Sequence, residues 1–450
     1  MENASIEKRN SSGLVRFLLF TFIGIYIFFV PVVIGSGEAK VPLVHLVDAI
    51  KGGIGGALDF VVTANVLLLV ITFSITKFTN KSTSFFKTFH EKDNMVTGLL
   101  YLLSAIFAFI MITGKGPVSI LDEEVGGLAI YLAGSVLITV TIAGWLVVFL
   151  IEFGFLEFLG TLMEPLMRSI FKLPGRSSVD ALASFVVAPA VGVFITNKLY
   201  VNGSYTEKEA CCITTNFSVC SLGFFALLVS IGDVVHLFPH VIITSLIIVF
   251  IMAAIVIRIP PLSRKRDVYF DGRVQTEDER KSAPYDWAIF SRAFKAATEK
   301  AASSDLKILY KSSIDAVFFA QKIVAYVLSI AVISLIIANY TPVFTWLGAP
   351  IAPVLNLLGL PNAAQIAPAC LVGIAEIALP VLIIAGQGIA EMSVFFIIVL
   401  STVQIIFFTE SANAMMEADM PINFAELVII FLVRTAVAIP LVAIVAHMLF

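Results

Sequence analysis

Nine apolar segments of the chain are each long enough to cross a membrane. They comprise residues 14–34, 58–75, 95–113, 127–151, 211–231, 239–259, 323–341, 392–409 and 424–449. A membrane-spanning helix needs about 20 mostly apolar residues, with a range of about 17–25. The whole chain is 59% apolar and 14% charged, against about 45–50% and about 25% in soluble domains. The sequence therefore predicts an all-α protein with about nine transmembrane helices.

The distribution of Lys and Arg predicts how these helices are oriented. Most basic residues fall in alternate loops, with twelve of them between residues 258 and 311, while only Lys40, Lys51 and Lys115 fall on the other face. Cytoplasmic loops carry the excess of basic residues. The first apolar segment has no small-residue cleavage site and is too long for the core of a signal peptide. We therefore expect a multi-pass protein of the inner or plasma membrane with a cytoplasmic N-terminus.

Two further apolar segments are interrupted near their middle. They are residues 177–200, which contain Pro189 and Gly192, and residues 365–387, which contain Gly373 and Pro380. An apolar segment with a Pro/Gly turn at its centre is typical of a re-entrant hairpin. Non-helical backbone at membrane depth is tolerated where protein or a water-filled cavity satisfies it. We predict two re-entrant hairpins.

The segments that precede the two hairpins share three landmarks in the same order. These are Leu159-Gly160, Pro165 and Leu173-Pro174 in the first half, and Leu347-Gly348, Pro353 and Leu360-Pro361 in the second. The first copy contains three basic residues and the second contains none, so the two copies are predicted on opposite faces of the membrane. This pattern predicts an inverted repeat. The chain then has four parts: N-terminal helices over 1–126, a first repeat over 127–257, a cytoplasmic hydrophilic linker over 258–322 and a second repeat over 323–450. Polar residues at 214–218 and 408–413 predict interrupted helices.

The first hairpin and the residues after it resemble a known module. Residues 177–227, including Tyr205-Thr206-Glu207-Lys208-Glu209-Ala210, are similar to the nucleoside-recognition or gate module, and the whole chain resembles the YjiH family that carries it. The order of segments from residue 127 onward, with Arg434 in the last span, also resembles the concentrative nucleoside transporters. This resemblance implies a transporter fold with one gate-type module in each repeat.

The hairpin tips depart from the nucleoside-transporter pattern. The first hairpin has Pro189-Ala190-Val191-Gly192 where that family has a Gly-Gln-Thr-Glu-Ala-Pro tip. The second hairpin keeps only Glu376 of the family's Asn-Glu-Phe motif. The residues that hold nucleobase and ribose in that family are thus largely missing. The substrate class stays open between nucleoside-like compounds and small amino-acid or peptide derivatives.

Ionisable residues inside apolar spans are the first candidates for function, because each costs about 2.5–3.5 kcal/mol to insert at mid-helix. Glu376, Glu410 and Arg434 qualify, and Asp180 is a candidate for either a helix cap or a site. We expect Arg434 to be structural, in an ion pair with Glu410, and its alternative role is to bind an anionic substrate. The predicted substrate-binding residues are Glu376, Glu410, Ser411, Asn413, Val191 and Gly192. The alternative for Glu376 is a cap of backbone amides at the turn, and the alternative for Glu410 is the ion pair with Arg434.

Neutral oxygens in the first interrupted helix suit a coupling ion. We predict that Asn216, Ser218 and Thr215 bind sodium; a proton carried by Glu376 or Glu410 is the alternative. Packing between helices is another role for such residues.

No Gly-x-x-x-x-Gly-Lys-Ser/Thr, His-Glu-x-x-His or Gly-x-Ser-x-Gly motif occurs, so we expect neither an enzyme nor an ATP-driven pump. We expect no cofactor beyond the coupling ion and no metal site, and a net charge of −3 argues against nucleic acid as a partner. The expected partners are a small-molecule substrate and the lipid bilayer, with a homo-oligomer left open. The sequence thus favours a secondary transporter of a small polar or zwitterionic metabolite. The alternative is a non-transporting membrane partner built on gate modules.

Overall fold

The computed structural model describes residues 2–33, 40–79, 83–91, 93–281 and 285–450, and the side chains of residues 2–12 and 223 are outside this description. Within these ranges the chain is helical and contains no β-strand. Six described helices are long and apolar enough to cross a membrane: Pro42–Phe78, Met95–Thr113, Glu123–Ile151, Val235–Val256, Lys307–Tyr340 and Phe424–Leu449. The prediction of a polytopic helical membrane protein is confirmed.

The N-terminal helices are α1 (Glu2–Phe29), α2 (Pro42–Ile54), α3 (Leu58–Phe78) and α4 (Met95–Thr113). Helix α4 begins where the side chain of Asn94 accepts hydrogen bonds from the backbone amides of Val96 and Thr97. It ends at Gly114, whose φ of 64° is the left-handed conformation that glycine adopts freely. The predicted span 14–34 corresponds to the apolar part of α1, Gly13–Phe29, and Ile34 lies outside the described residues.

The main helices of the predicted first repeat are α5 (Leu128–Leu146), α6 (Phe155–Phe171), α7 (Ser177–Val186), α8 (Pro189–Val201), α9 (Glu207–Phe217), α10 (Leu222–Ile231) and α11 (Phe238–Val256). Helices α7 and α8 pack against each other as a hairpin, here called hairpin 1. Pro189 starts α8, a position where its missing N–H costs nothing. A capping box of Thr206 and Glu209 starts α9.

Helix α12 (Ala288–Ser303) lies between the two repeats. It buries one face, formed by Ile289, Ala293, Ala297 and Ala301, against α1 and α6. Helix α13 (Lys307–Tyr326) then starts inside the segment 258–322 that the sequence marks as linker.

The second repeat continues with α14 (Val332–Tyr340), α15 (Val343–Gly348), α16 (Ala352–Leu357), α17 (Ala363–Ile366), α18 (Ala369–Val372), α19 (Leu379–Leu382), α20 (Glu391–Gln404), α21 (Ser411–Glu417) and α22 (Phe424–Leu449). Helices α17 to α19 form hairpin 2. The order of the first repeat recurs: a long helix, a short helical segment, a hairpin, an interrupted helix and a long helix.

Two of the nine predicted spans are interrupted, as the sequence predicts, but the bounds of the interruptions differ from 214–218 and 408–413. The span 211–231 is divided between α9 and α10 by residues 218–221, here called break 1. The span 392–409 ends at Gln404, and residues 405–410, here called break 2, separate α20 from α21. None of these helices reaches the length of a span alone.

Close helix packing holds the repeats together. Helix α13 lies along α5, and a Cβ on Gly144 of α5 would come within 2.8 Å of the Cβ of Ala316. Small residues allow such close approach between helices in membranes. Helices α11, α20 and α22 pack on one another, and α8 contacts α21. Hairpin 1 therefore lies against the second broken helix.

Candidate functional site

Arg434 lies fully buried between the two breaks. Its guanidinium donates to the side-chain oxygen of Asn216 at 2.7 Å and to the carbonyls of Gln404 at 2.9 Å and Val403 at 2.6 Å. Asn216 is in the last turn of α9, and the two carbonyls end α20. Helix C-termini carry unpaired carbonyls and partial negative charge. Arg434 therefore joins and neutralises the C-terminal ends of both interrupted helices.

The predicted ion pair between Arg434 and Glu410 is absent from the described residues. The Glu410 carboxylate instead accepts a hydrogen bond of 2.9 Å from the backbone amide of Ala190, in the first turn of α8. A helix N-terminus has unpaired amides and partial positive charge. The positive charge of Arg434 is thus matched by the C-terminal ends of the interrupted helices, and the negative charge of Glu410 is matched by the N-terminal end of α8.

Glu376 binds the turn of hairpin 2 in a similar way. Its carboxylate accepts from the backbone amides of Ala378 and, at 3.1 Å, of Leu379, where α19 begins. Glu376 is 2% exposed. The capping role that the sequence left as the alternative for this residue is therefore present.

Glu376 and Glu410 are called the acidic pair here, because the charge of Glu410 acts on Glu376. Both carboxylates also act electrostatically on the Cys220 thiol of break 1. Among the described residues, no Lys, Arg or His comes within ion-pair distance of either glutamate. Buried carboxylates are costly unless paired, hydrogen-bonded or neutralised. This pair is therefore suited to receive a cation, a proton or a polar ligand.

Of the other predicted substrate-binding residues, Ser411, Gly192 and Val191 take part in the protein's own hydrogen bonding and packing. Asn413 has a polar atom without a hydrogen-bond partner among the described residues. The Ser411 hydroxyl accepts from the amide of Phe407 at 3.0 Å and donates to the carbonyl of Ile405, which shapes break 2. A Cβ on Gly192 would collide with the Ser184 hydroxyl across hairpin 1, so this glycine permits the two arms to touch. Val191 is buried beside it.

Asn413 and Thr409 differ from these residues. The Asn413 side-chain nitrogen donates to the carbonyl of Phe408, but its oxygen has no hydrogen-bond partner among the described residues. The Thr409 hydroxyl also has none. Both residues are fully buried. Break 2 and the first turn of α21 thus contain two buried oxygens, those of Thr409 and Asn413, that have no hydrogen-bond partner among the described residues and are within three residues of Glu410.

The predicted ion-binding residues of break 1 are occupied differently. The Asn216 side-chain oxygen accepts from Arg434, and the Thr215 hydroxyl donates to the Cys211 carbonyl at 2.7 Å. Ser218 is buried where α9 ends. A guanidinium on the Asn216 oxygen disfavours a second cation at the same atom. The Asn216 oxygen thus already has a charged donor, and sodium binding by these three residues stays a prediction.

A cavity of about 1220 Å³ is lined by Lys198 and Lys311 and also by Ile374 and Phe408. The backbones of Ile374 and Phe408 are joined by a 2.8 Å hydrogen bond, and the Phe408 ring stacks on Phe424 at 4.9 Å. Ligand pockets are typically about 300–1,000 Å³, so the cavity has room for a small metabolite. Ile374 and Phe408 are each two residues from one of the glutamates in the sequence.

A buried charged network beside this cavity was missed from the sequence. Lys322 lies 2.9 Å from Asp93 and 3.4 Å from Glu417, at the end of α21. His90 and Tyr101 also contact the Asp93 carboxylate, at 2.6 and 3.0 Å. Burial alone would raise the pKa of Asp93, but the hydrogen bond from His90 and the charge of Lys322 keep it below its ordinary value. The sequence offered one signal for this network: Asp93 and Lys322 carry opposite charges next to the ends of two predicted spans.

Comparison with known proteins supports the module. The model of the Gate family, described as nucleoside recognition, matches residues 130–234, which include hairpin 1 and break 1. A protein of Alkalihalophilus pseudofirmus, described as uncharacterized, is 33% identical over 455 residues, covering 99% of this chain and 96% of that protein. The chain belongs to the same family as that protein. No solved structure matches it.

The gate module expected from the resemblance is confirmed by this match. Gate domains are found in transporters, so the match supports a membrane transporter. The name YjiH for the family stays a prediction.

Proposed function

We propose that this member of the family is a cation-coupled secondary transporter of a small polar metabolite. The observation that carries the proposal is the pair of the buried Glu376 and the half-buried Glu410, which bind the amides of both hairpins and have no basic partner in the described ranges. Ionisable groups at membrane depth mark substrate and ion pathways.

The surroundings of the pair are consistent with alternating access. The two hairpins act in the proposal as re-entrant elements of an inverted repeat, and the interrupted helices α9–α10 and α20–α21 cross beside them. Transporters with such repeats bind their substrate near mid-membrane, where discontinuous helices meet. The cavity lined by Phe408 is then the cytoplasmic entrance, because the basic residues Lys198 and Lys311 also line it.

The chemistry of the pair limits the substrate. Amides that a substrate carboxylate would need are bound by the protein's own glutamates. Carboxylates accept hydrogen bonds from hydroxyl and amine groups. We therefore expect a substrate with hydroxyls or an amine at this point, such as a nucleoside-like compound or a small amino-acid derivative. A non-transporting membrane partner would have no need for a carboxylate pair without counter-charge.

Uptake by proteoliposomes tests the proposal. With a sodium or a proton gradient, wild-type protein should accumulate at least one of three radiolabelled probes, uridine, alanine and dialanine, above the level of protein-free liposomes. Glu376→Gln should abolish that accumulation while its melting temperature stays near the wild-type value. The matched control is Glu277→Gln, at an exposed position of the linker, which should transport normally. Normal uptake by Glu376→Gln would overturn the assignment.

A further inference from the structure

Two buried asparagines beside the helix breaks are satisfied in opposite ways. The side-chain oxygen of Asn216 receives a cation, the guanidinium of Arg434, at 2.7 Å. The side-chain oxygen of Asn413 receives no donor among the described residues, although Asn413 is 0% exposed. Buried polar atoms without partners are rare in folded proteins and require an explanation.

The orientation of the Asn413 amide is fixed by its neighbour. Its nitrogen donates to the carbonyl of Phe408, and exchanging the nitrogen and oxygen would place two acceptors against each other. The oxygen must therefore be the atom without a partner. The amide is also held against the residue that precedes Thr409, so both unpartnered oxygens belong to one short stretch of chain.

The charge at break 2 is negative. Glu410 follows Thr409 directly, its carboxylate accepts a hydrogen bond from the neutral Ala190 amide, and its charge acts on Glu376. The positive charge of Arg434 is directed at the other oxygens, those of Asn216, Val403 and Gln404. Unwound carbonyls beside such breaks coordinate sodium in other transporters.

We infer that break 2 and the first turn of α21 form a sodium site from the Thr409 hydroxyl, the Asn413 side-chain oxygen and the carboxylate of Glu410. This inference deepens the proposed function, because it places the coupling ion at break 2 and moves it away from Asn216, Ser218 and Thr215. One carboxylate with neutral oxygens balances a monovalent ion, whereas calcium takes six to eight oxygens, several of them from carboxylates. A sodium ion there also compensates the charge of Glu410 beside Glu376.

Sodium binding to the purified full-length protein tests the inference without any transport. Radioactive sodium should bind saturably, and sodium chloride should raise the melting temperature more than choline chloride or potassium chloride at equal ionic strength. Thr409→Val and Asn413→Ala should each weaken sodium affinity about tenfold or more, which corresponds to one lost ligand. Asn413→Asp keeps an oxygen and should still bind sodium.

The matched control is Thr402→Val. Thr402 is also fully buried, but its hydroxyl already donates to the carbonyl of Val399, so this variant should keep wild-type sodium affinity. Unchanged affinity in both Thr409→Val and Asn413→Ala, equal stabilisation by potassium, or no saturable binding would each overturn the inference. If sodium binds as expected and no gradient drives uptake, the proposed transport fails and the site stands. If a pH gradient alone drives uptake and sodium does not bind, the sodium site fails and the proposed transport stands.

Discussion

The guanidinium of Arg434 lies 2.7 Å from the side-chain oxygen of Asn216 and connects the last helix to the C-terminal end of α9. The same side chain binds the final carbonyls of α20. One residue therefore holds the ends of two interrupted helices, one from each repeat. Because the positive charge of Arg434 binds these helix ends, it does not neutralise Glu376 or Glu410. The two carboxylates can therefore interact with ligands.

Replacing Arg434 should be strongly destabilising, and Glu410 should not compensate. We expect Arg434→Met to lower the free energy of unfolding by about 3–5 kcal/mol, because a buried network loses its central partner. Glu410→Gln should cost less than about 1.5 kcal/mol, since the glutamine oxygen can still accept from the Ala190 amide. Thermal unfolding in detergent measures both. Restoration of Arg434→Met by Glu410→Gln would show that the two residues form an ion pair after all, whereas additive effects agree with their separate partners.

The network of Asp93, Lys322 and Glu417 provides a second stability prediction. Lys322→Met leaves two buried carboxylates without their cation and should lower the free energy of unfolding by about 3–5 kcal/mol. The double variant Asp93→Asn/Lys322→Met should recover part of this loss. Lys295→Met, at an exposed position of α12, is the control and should be near neutral. A larger loss in the double variant than in Lys322→Met would contradict the network.

The sequence predicted the two interruptions because polar clusters stand out inside apolar helices, but it misplaced their bounds. Helix α9 continues through Asn216 since the side-chain nitrogen of this residue donates to the Cys212 carbonyl one turn earlier. Break 2 begins at Ile405, whose φ of 67° is unusual for a β-branched residue. Nothing in the local sequence signals that conformation, because the surrounding tertiary structure imposes it.

Side-chain partners were harder to predict than helices. A buried arginine is expected to find a carboxylate, but a guanidinium has five donors that carbonyls at helix ends also satisfy. Glutamates near hairpin turns can bind either a ligand or an amide, and the sequence does not decide between the two. Asp93 and Lys322 are 229 residues apart, so only the fold brings them together.

The orientation of the repeats is a further prediction. Ser169, near Arg168 in α6, and Asn356, in the corresponding segment of the second repeat, are both exposed. Because basic residues accompany only the first segment, Ser169→Cys should react with an impermeant maleimide from the cytoplasm and Asn356→Cys only from outside. Reaction of both from the same face would contradict the inverted repeat.

Phe408 should control access to the acidic pair from the cavity. Cys220 is a native reporter of that place, since both glutamates act electrostatically on its thiol and it is 3% exposed. We expect Phe408→Ala to increase the rate of Cys220 alkylation from the cytoplasmic side about tenfold, because a ring in the cavity wall next to Thr409 and Glu410 is removed. Peptide mapping by mass spectrometry distinguishes Cys220 from the other three cysteines. Phe424→Leu, which keeps an apolar side chain at the stacking partner, should have a smaller effect, and an unchanged rate in Phe408→Ala would exclude a gating role.

Alkylation of Cys220 from each side of the membrane tests the central claim, that the pair of Glu376 and Glu410 is reached alternately from both faces. In oriented vesicles, an impermeant maleimide should label Cys220 of the wild-type protein from the cytoplasmic face in sodium-free buffer and from the external face in a second condition, with sodium shifting the ratio of the two rates. A non-transporting membrane partner has no reason to expose the same residue to both faces. Labelling from one face only, whatever the sodium concentration, would contradict the account.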